Sequence, residues 1–243
     1  MRGFEFNGKH TYKDFGLKIV SKEISNPEAN LIFEEVPFMN GAYDFSMLYD
    51  EISYKERELR YEFWVIKDTK EKMNIFKIAL INWLKASEKK KLIDDAISGF
   101  YFMAQVQNVE FTEENRIGYI TITFTAYPFK IRTVNEGEIP WDDFIFLIDV
   151  MQETCFEVGE ECEIKLYNEG SKKITPRIEA SSEYTLLKDG RSYSIQAGTT
   201  EDSQFKLDIG ENIITIKRKY TSTTIIGENT KGTIKFIFTR EVL

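Results

Sequence analysis

The sequence predicts a mainly β protein with one long helix, organised as a sheet domain that carries the helix followed by a β-sandwich or jelly roll. Three observations support this. Residues 59–65 alternate, Leu59, Tyr61, Phe63 and Val65 falling on one side of a strand and Arg60 and Glu62 on the other, which is the period of a half-exposed sheet. Residues 69–86 place Met73, Phe76, Leu80, Trp83 and Leu84 on one stripe at helical spacing. Beyond residue 133 no helical period competes, and short β-prone runs are punctuated by Gly and Asn. A chain of 243 residues has room for two such domains, and the sequence places them at 1–133 and 134–243.

Taken in order, the first elements are hairpins. Asn and Gly tolerate positive φ, so Asn7-Gly8 and Asn40-Gly41 read as turns between strands, and Asp14-Phe15-Gly16-Leu17 leads into another strand. Trp64 and Ile66 then fill the polar side of the strand through Val65, so its end is apolar on both faces and needs a covering helix or another subunit. In the helix, Asp68 and Glu71 have capping-box spacing, Ile75, Ile78, Ala79 and Ile81 widen the apolar stripe, and Lys89, Lys90 and Lys91 sit near the negative pole. A stripe wider than one sheet requires suggests an intersubunit contact, with Trp64, Ile66, Ile75 and Ile78 as the candidate interface residues.

Strands are expected over 100–106 and 119–126, joined at Asn115, with Thr121, Thr123 and Thr125 on an exposed face. Tyr127-Pro128-Phe129 closes this sheet, because proline cannot donate to the ladder. In the second half strands are expected over 144–150, 162–167, 177–180, 192–197, 204–207, 213–219 and 233–239, with turns at Asn168, Gly170, Gly190, Gly198, Gly210, Asn212, Gly227 and Gly232.

Composition narrows the function. A net charge of −8 argues against a nucleic-acid reader, which needs a surplus of Lys and Arg to displace counterions from phosphates. The first residues lack the apolar core of a signal peptide and no apolar run reaches the ~20 residues that span a bilayer, so neither secretion nor a membrane partner is expected. Residues 134–163 hold ten acidic side chains and no basic one, which reads first as a solvated acidic face and second as a cation site or a seat for a basic partner. If Val158-Gly159 is a hairpin loop, Cys155 and Cys162 stand opposite and close enough to bridge. Two cysteines make no disulfide framework, and free thiols are the favoured reading.

Chemistry finds little footing. His10 is the only histidine and reads as a surface residue of the first hairpin, which leaves neither a catalytic pair nor a zinc ligand set. Asp94-Asp95 and Asp142-Asp143 are the visible carboxylate pairs, and neighbours on a strand point to opposite faces. No phosphate-binding glycine loop or nucleophile elbow is present, so neither enzymatic activity nor a cofactor or metal is expected.

The order of the motifs is informative. Phe6-Asn7-Gly8, Asp14-Phe15-Gly16-Leu17 and the Pro37-x-x-Asn40-Gly41-x-Tyr43-Asp44 turn, then Trp83-Leu84, Gly99-Phe100-Tyr101, Trp141-x-x-Phe144, Tyr167-Asn168-x-Gly170, Thr175-Pro176 and Gly210-Glu211-Asn212-Ile213, together resemble the distal tail proteins of long-tailed bacteriophages over nearly the whole chain. The resemblance implies an N-terminal β-sandwich with a helix that forms a homo-hexameric ring, and a galectin-like C-terminal sandwich facing outward. It implies a virion tail protein assembled in the host bacterial cytoplasm. Its partners would be the tail tube protein, the tail-tip or tail-associated lysin protein and, on the outer domain, receptor-binding proteins, with DNA passing the lumen without specific binding. The alternative is a carbohydrate-binding protein that uses the second sandwich, where Trp141, Tyr167, Tyr184 and Tyr193 offer aromatic surface.

Overall fold

The computed structural model describes residues 2–48, 51–85, 88–219 and 231–243. Gly227, expected as a turn, lies outside them. The chain divides into two compact units, Met1–Ile131 with Leu243, and Arg132–Val242.

In the first unit the strands are β1 (Phe4–Phe6), β2 (Lys9–His10), β3 (Lys18–Ile24), β4 (Phe33–Glu35), β5 (Ala42–Asp44), β6 (Arg57–Ile66), β7 (Lys90–Asp94), β8 (Phe100–Glu114), β9 (Ile117–Ala126) and β10 (Lys130–Arg132), with helix α1 (Lys70–Leu84) after β6. The main sheet runs β2-β1-β7-β8-β9-β6-β3. It is rolled. β1 and β6 are separated by three intervening strands, yet the Phe4 and Tyr61 rings are 4.7 Å apart, and Lys22 on β3 reaches Asp94 on β7 at 3.0 Å. The inner face is filled by Phe4, Phe6, Tyr61, Phe63, Ile120, Ile122 and Phe124, all with exposures of 1% or less. The alternation expected in residues 59–65 is therefore a core-facing strand.

Two local features shape this sheet. At Asn7-Gly8 both residues have positive φ, 46° and 73°, as a two-residue hairpin turn needs, and Phe6 pairs with Lys9 across it. In β8 the register to β9 shifts between Val106 and Asn108, an extra residue that changes which parity faces inward. Phe102, Ala104 and Val106 pack on the core before it, Val109 and Phe111 after it.

Helix α1 closes the core with Met73, Phe76, Leu80, Trp83 and Leu84. Trp83 anchors it: its Nε1 donates to the Phe6 carbonyl at 2.7 Å, Asn7 Nδ2 donates back to the Trp83 carbonyl at 3.1 Å, and Phe15 stacks on the indole at 4.5 Å. The cap differs from the sequence expectation. Thr69 is the N-cap and accepts from Lys72 N–H, while Asp68 pairs with the Lys72 ammonium instead, so Asp68 and Glu71 form no capping box. The lysines do not end the helix either. Lys90 and Lys91 belong to β7, a strand the sequence reading missed, and Lys89 pairs with Glu56.

Between β3 and β6 the chain leaves the sheet as a ribbon ending in the β4–β5 hairpin. Its connection, residues 36–41, takes positive φ at Phe38 (67°) and Gly41 (91°) and not at Asn40.

The second unit is a sandwich of two four-stranded sheets. Its strands are β11 (Cys155–Val158), β12 (Glu161–Asn168), β13 (Arg177–Ala180), β14 (Tyr184–Lys188), β15 (Arg191–Ile195), β16 (Gly198–Glu201), β17 (Gly210–Arg218) and β18 (Gly232–Ile237), and the short β19 (Glu241–Val242) belongs to neither sheet. One sheet runs β11-β18-β13-β16 and the other β12-β17-β14-β15, and Ile178, Ile234 and Phe236 of the first meet Leu166, Leu186, Ile214 and Ile216 of the second in one core. Cys155 lies in the first sheet opposite Lys235 and Cys162 in the second opposite Ile216. They are not cross-strand neighbours, and both thiols are free.

Two expected strands are absent. Residues 204–207 form an irregular segment that buries Phe205 and Leu207 and touches Ile174 through a single bridge. Residues 144–150 form turns after the 3-10 turn Trp141–Asp143, because a buried charge cluster takes their backbone. Asp149 accepts from Arg132 at 2.8 Å, from Ile145 N–H at 2.6 Å and from Arg240. Arg132 also donates to the Asp143 carbonyl and Arg240 to that of Ile148. Glu136 lies 2.8 Å from Arg240 Nε, and burial against this cluster pushes its carboxyl up. The solvated acidic face expected over residues 134–163 is thus only partly one: Glu136 and Asp149 are buried and matched by two arginines.

Removing one member of a buried ion cluster costs about 3–5 kcal/mol, since the others stay desolvated without a partner. Asp149→Asn is expected to lose that much in urea unfolding of the second unit, whereas exposed Asp142→Asn stays within about 0.5 kcal/mol.

Candidate functional site

The four interface candidates occupy two separate surfaces. Trp64 and Ile66 alternate with Phe63 and Val65 on β6, so they point out of the sheet on the face away from the core that α1 covers. Trp64 is half-buried, with Lys18 Nζ 4.5 Å above its ring, opposite Tyr119 on β9; Ile66 is exposed beside Ile117. Ile75 and Ile78 stand on the outer face of α1 with Ile81, each more than half exposed, while Met73, Phe76 and Leu80 one turn away are buried. The width of the helical stripe therefore divides into a core half and a wet half.

A third surface went unread in the sequence. From Leu31 to Phe45 every residue is exposed, and Leu31, Ile32, Phe33, Val36, Phe38, Met39, Tyr43 and Phe45 are all large and apolar. The signal was present: residues 24–54 contain no Lys or Arg, and consecutive Leu31-Ile32-Phe33 puts apolar side chains on both faces of a strand.

The groups that chemistry would have required are tied into the fold. His10 is buried, contrary to the expected surface position. Its Nδ1 accepts from the Tyr12 and Lys13 N–H groups at 3.0 and 3.2 Å, and its Nε2 donates to Asp95 at 3.1 Å, an arrangement that pins the first hairpin. Asp95 also accepts from Gly3 N–H, while Asp94 turns the other way to Lys22 and to the Tyr61 hydroxyl at 2.9 Å. Burial, and then the Asp94 charge, push the Tyr61 phenol far up, so it stays a donor. Asp142 and Asp143 are exposed on the 3-10 turn. Among the described residues no group of three or more His, Cys, Asp or Glu side chains could hold a metal ion, and no helix is long and apolar enough to cross a membrane.

The four aromatics of the glycan reading do not form one platform. Tyr184 is in the core, Tyr193 packs against Phe205, Tyr167 bonds Glu211, and Trp141 stacks with Phe144 on another segment.

Two comparisons with known proteins show what the chain is similar to. Residues 10–126 match the family model described as the phage tail protein RIFT-related domain. The chain is also similar to the crystal structure of the SPP1 Dit protein, described as a paradigm of the hub adsorption apparatus in phages infecting Gram-positive hosts, with a TM-score of 0.67 and 13% identity over 100% of both chains. No curated protein matches by sequence. The chain is thus similar in sequence to a phage tail domain over residues 10–126 and in fold to the SPP1 Dit protein over its whole length.

The division of α1 into two halves has a measurable consequence. Leu80→Ala is expected to cost about 2–5 kcal/mol in urea unfolding, as core truncations do, and Ile78→Ser or Ile75→Ser about 0.5 kcal/mol or less in the isolated chain.

Proposed function

We propose that this chain is a structural hub of a phage or phage-derived tail tip, without catalytic turnover, built into the virion tail after assembly in the host cytoplasm. Six copies form a ring through their first units. That ring joins the tail tube to the tail-tip or tail-associated lysin protein, and the second units face outward and anchor receptor-binding proteins.

The observation that carries this reading is a phage-tail domain match over residues 10–126 inside a chain whose whole length has the fold of a tail hub protein. Physical features support it. The first unit leaves large apolar side chains wet on β6, on α1 and on the ribbon, and clustered exposed apolar side chains are what an interaction surface presents. Residues 1–133 carry 19 Lys and Arg against 20 Asp and Glu, so a lumen lined by this part would be nearly neutral and would let DNA pass without holding it. The second part, at 13 against 20, gives outward arms that repel one another.

Light scattering of the pure protein, followed by negative-stain imaging with the tube protein, tests the reading: rings seated on tube ends are expected, and a chain that neither associates nor binds tubes would end it. Trp64→Glu is expected to reduce ring assembly, read by light scattering, more than folding, read by circular dichroism; an unfolded aggregate would assign Trp64 to the core instead. A glycan array probed with the full chain is expected to stay silent, and reproducible hits would favour the lectin reading.

A further inference from the structure

The ribbon between β3 and β6 is built, not loose. Ser25 and Glu58 bond at its base, with Glu58 N–H donating to Ser25 Oγ at 2.8 Å; Asn30 N–H donates to the Ser53 carbonyl at 2.8 Å; Phe45 N–H donates to that of Ile32 at 2.8 Å; and β4 pairs with β5 beyond. Backbone pairing thus extends from the main sheet to the tip. Yet neither face is dry, since every residue from Leu31 to Phe45 is exposed, and a two-stranded ribbon with both faces wet is marginal by itself. Phe38 stands fully exposed at the tip with positive φ, a position that bulky residues seldom take.

Resting on the ring proposed above, we infer that the ribbon of one copy lies across the outer isoleucine face of α1 in the next copy. A head-to-tail ring needs two different surfaces on each subunit, one to give and one to receive. The first unit offers an acidic apolar ribbon and a basic apolar helix. Residues 24–54 carry Glu28, Glu34, Glu35, Asp44, Asp50 and Glu51 with no basic residue, while α1 and its C-cap carry Lys70, Lys72, Lys77 and Lys85 against Glu71. Lys72 and Lys77 pair with Asp68 and Glu113, and among the described residues Lys70 and Lys85 have no ion-pair partner.

Like charge disfavours ribbon on ribbon and helix on helix, so the unlike pair is the one that electrostatics selects. Size agrees as well. The distal ribbon, about six residues a side, is about 20 Å long at ~3.3 Å per residue, and the 15-residue α1 is about 22 Å long at ~1.5 Å per residue. Ribbon and helix face are both exposed in the same chain, so the ribbon does not cover its own helix.

Charge exchange tests this contact in the full chain. Glu34→Lys with Glu35→Lys is expected to lower the light-scattering mass from that of a hexamer to that of a monomer, and adding Lys70→Glu and Lys85→Glu to restore the hexamer. In a Cys155→Ser, Cys162→Ser background, Phe33→Cys with Ile78→Cys, or Tyr43→Cys with Ile75→Cys, is expected to give on oxidation a ladder of linked chains that neither single cysteine gives. A ring that survives the Glu34 and Glu35 reversal, a ring lost without rescue, or a disulfide confined to single chains overturns the contact and leaves the hub reading standing. A wild-type chain that stays monomeric at high concentration also overturns it, and the hub reading then falls only if tube binding fails too.

Discussion

The rolling of one sheet around an aromatic core is the constraint on which the first unit depends. Phe4 sits at its centre, with ring contacts to Tyr61, Phe63, Trp83 and Phe124, which lie on strands far from β1 in the sheet order and on the helix. Each such pair adds about 0.5–1.5 kcal/mol beyond the area it buries, and together they fix how far the sheet curls. Once the inner face is closed, α1 has one seat left, set by Trp83 against the Phe6 and Asn7 turn. On the outer faces of β6 and α1, Lys18 half-covers Trp64, while Ile66, Ile75, Ile78 and Ile81 stay exposed.

The second unit is organised by a different force. Its two sheets make an ordinary apolar sandwich, but the segment before β11 has no strand partner and is held by Arg132, Arg240, Asp149 and Glu136. Buried charges gain little net stability, but a member left without its opposite charge is costly, so the cluster holds its segment in place. The cluster thereby fixes the backbone at Asp143, Ile145 and Ile148, and with it the exposed aromatic turn of Trp141, Phe144 and Phe146.

Three of the polar side chains that stood out in the sequence are tied into the first unit: His10 to its hairpin, Asp94 to Lys22 and Tyr61, Asp95 to Gly3 and His10. The ribbon and the outer face of α1, by contrast, keep large apolar side chains exposed.

The sequence by itself determined the class of structure and much of the core. Alternation in residues 59–65, the helical stripe around Phe76 and Leu80, and the Asn7-Gly8 turn are local periodicities and local dihedral needs, so they are legible without neighbours. The excess width of the helix set Ile75 and Ile78 apart as more than one sheet can cover, and both are exposed in this chain. Tertiary structure alone decided the rest. Residues 144–150 read as a strand until Asp149 is drawn to arginines 17 and 91 residues away, β8 changes its inward parity at one inserted residue, and Cys155 and Cys162 part into different sheets. The ribbon read only as a turn, since nothing local tells an apolar strand that will be buried from one that will be left exposed. Burial is a property of what lies opposite, and that is set by distant parts of the chain.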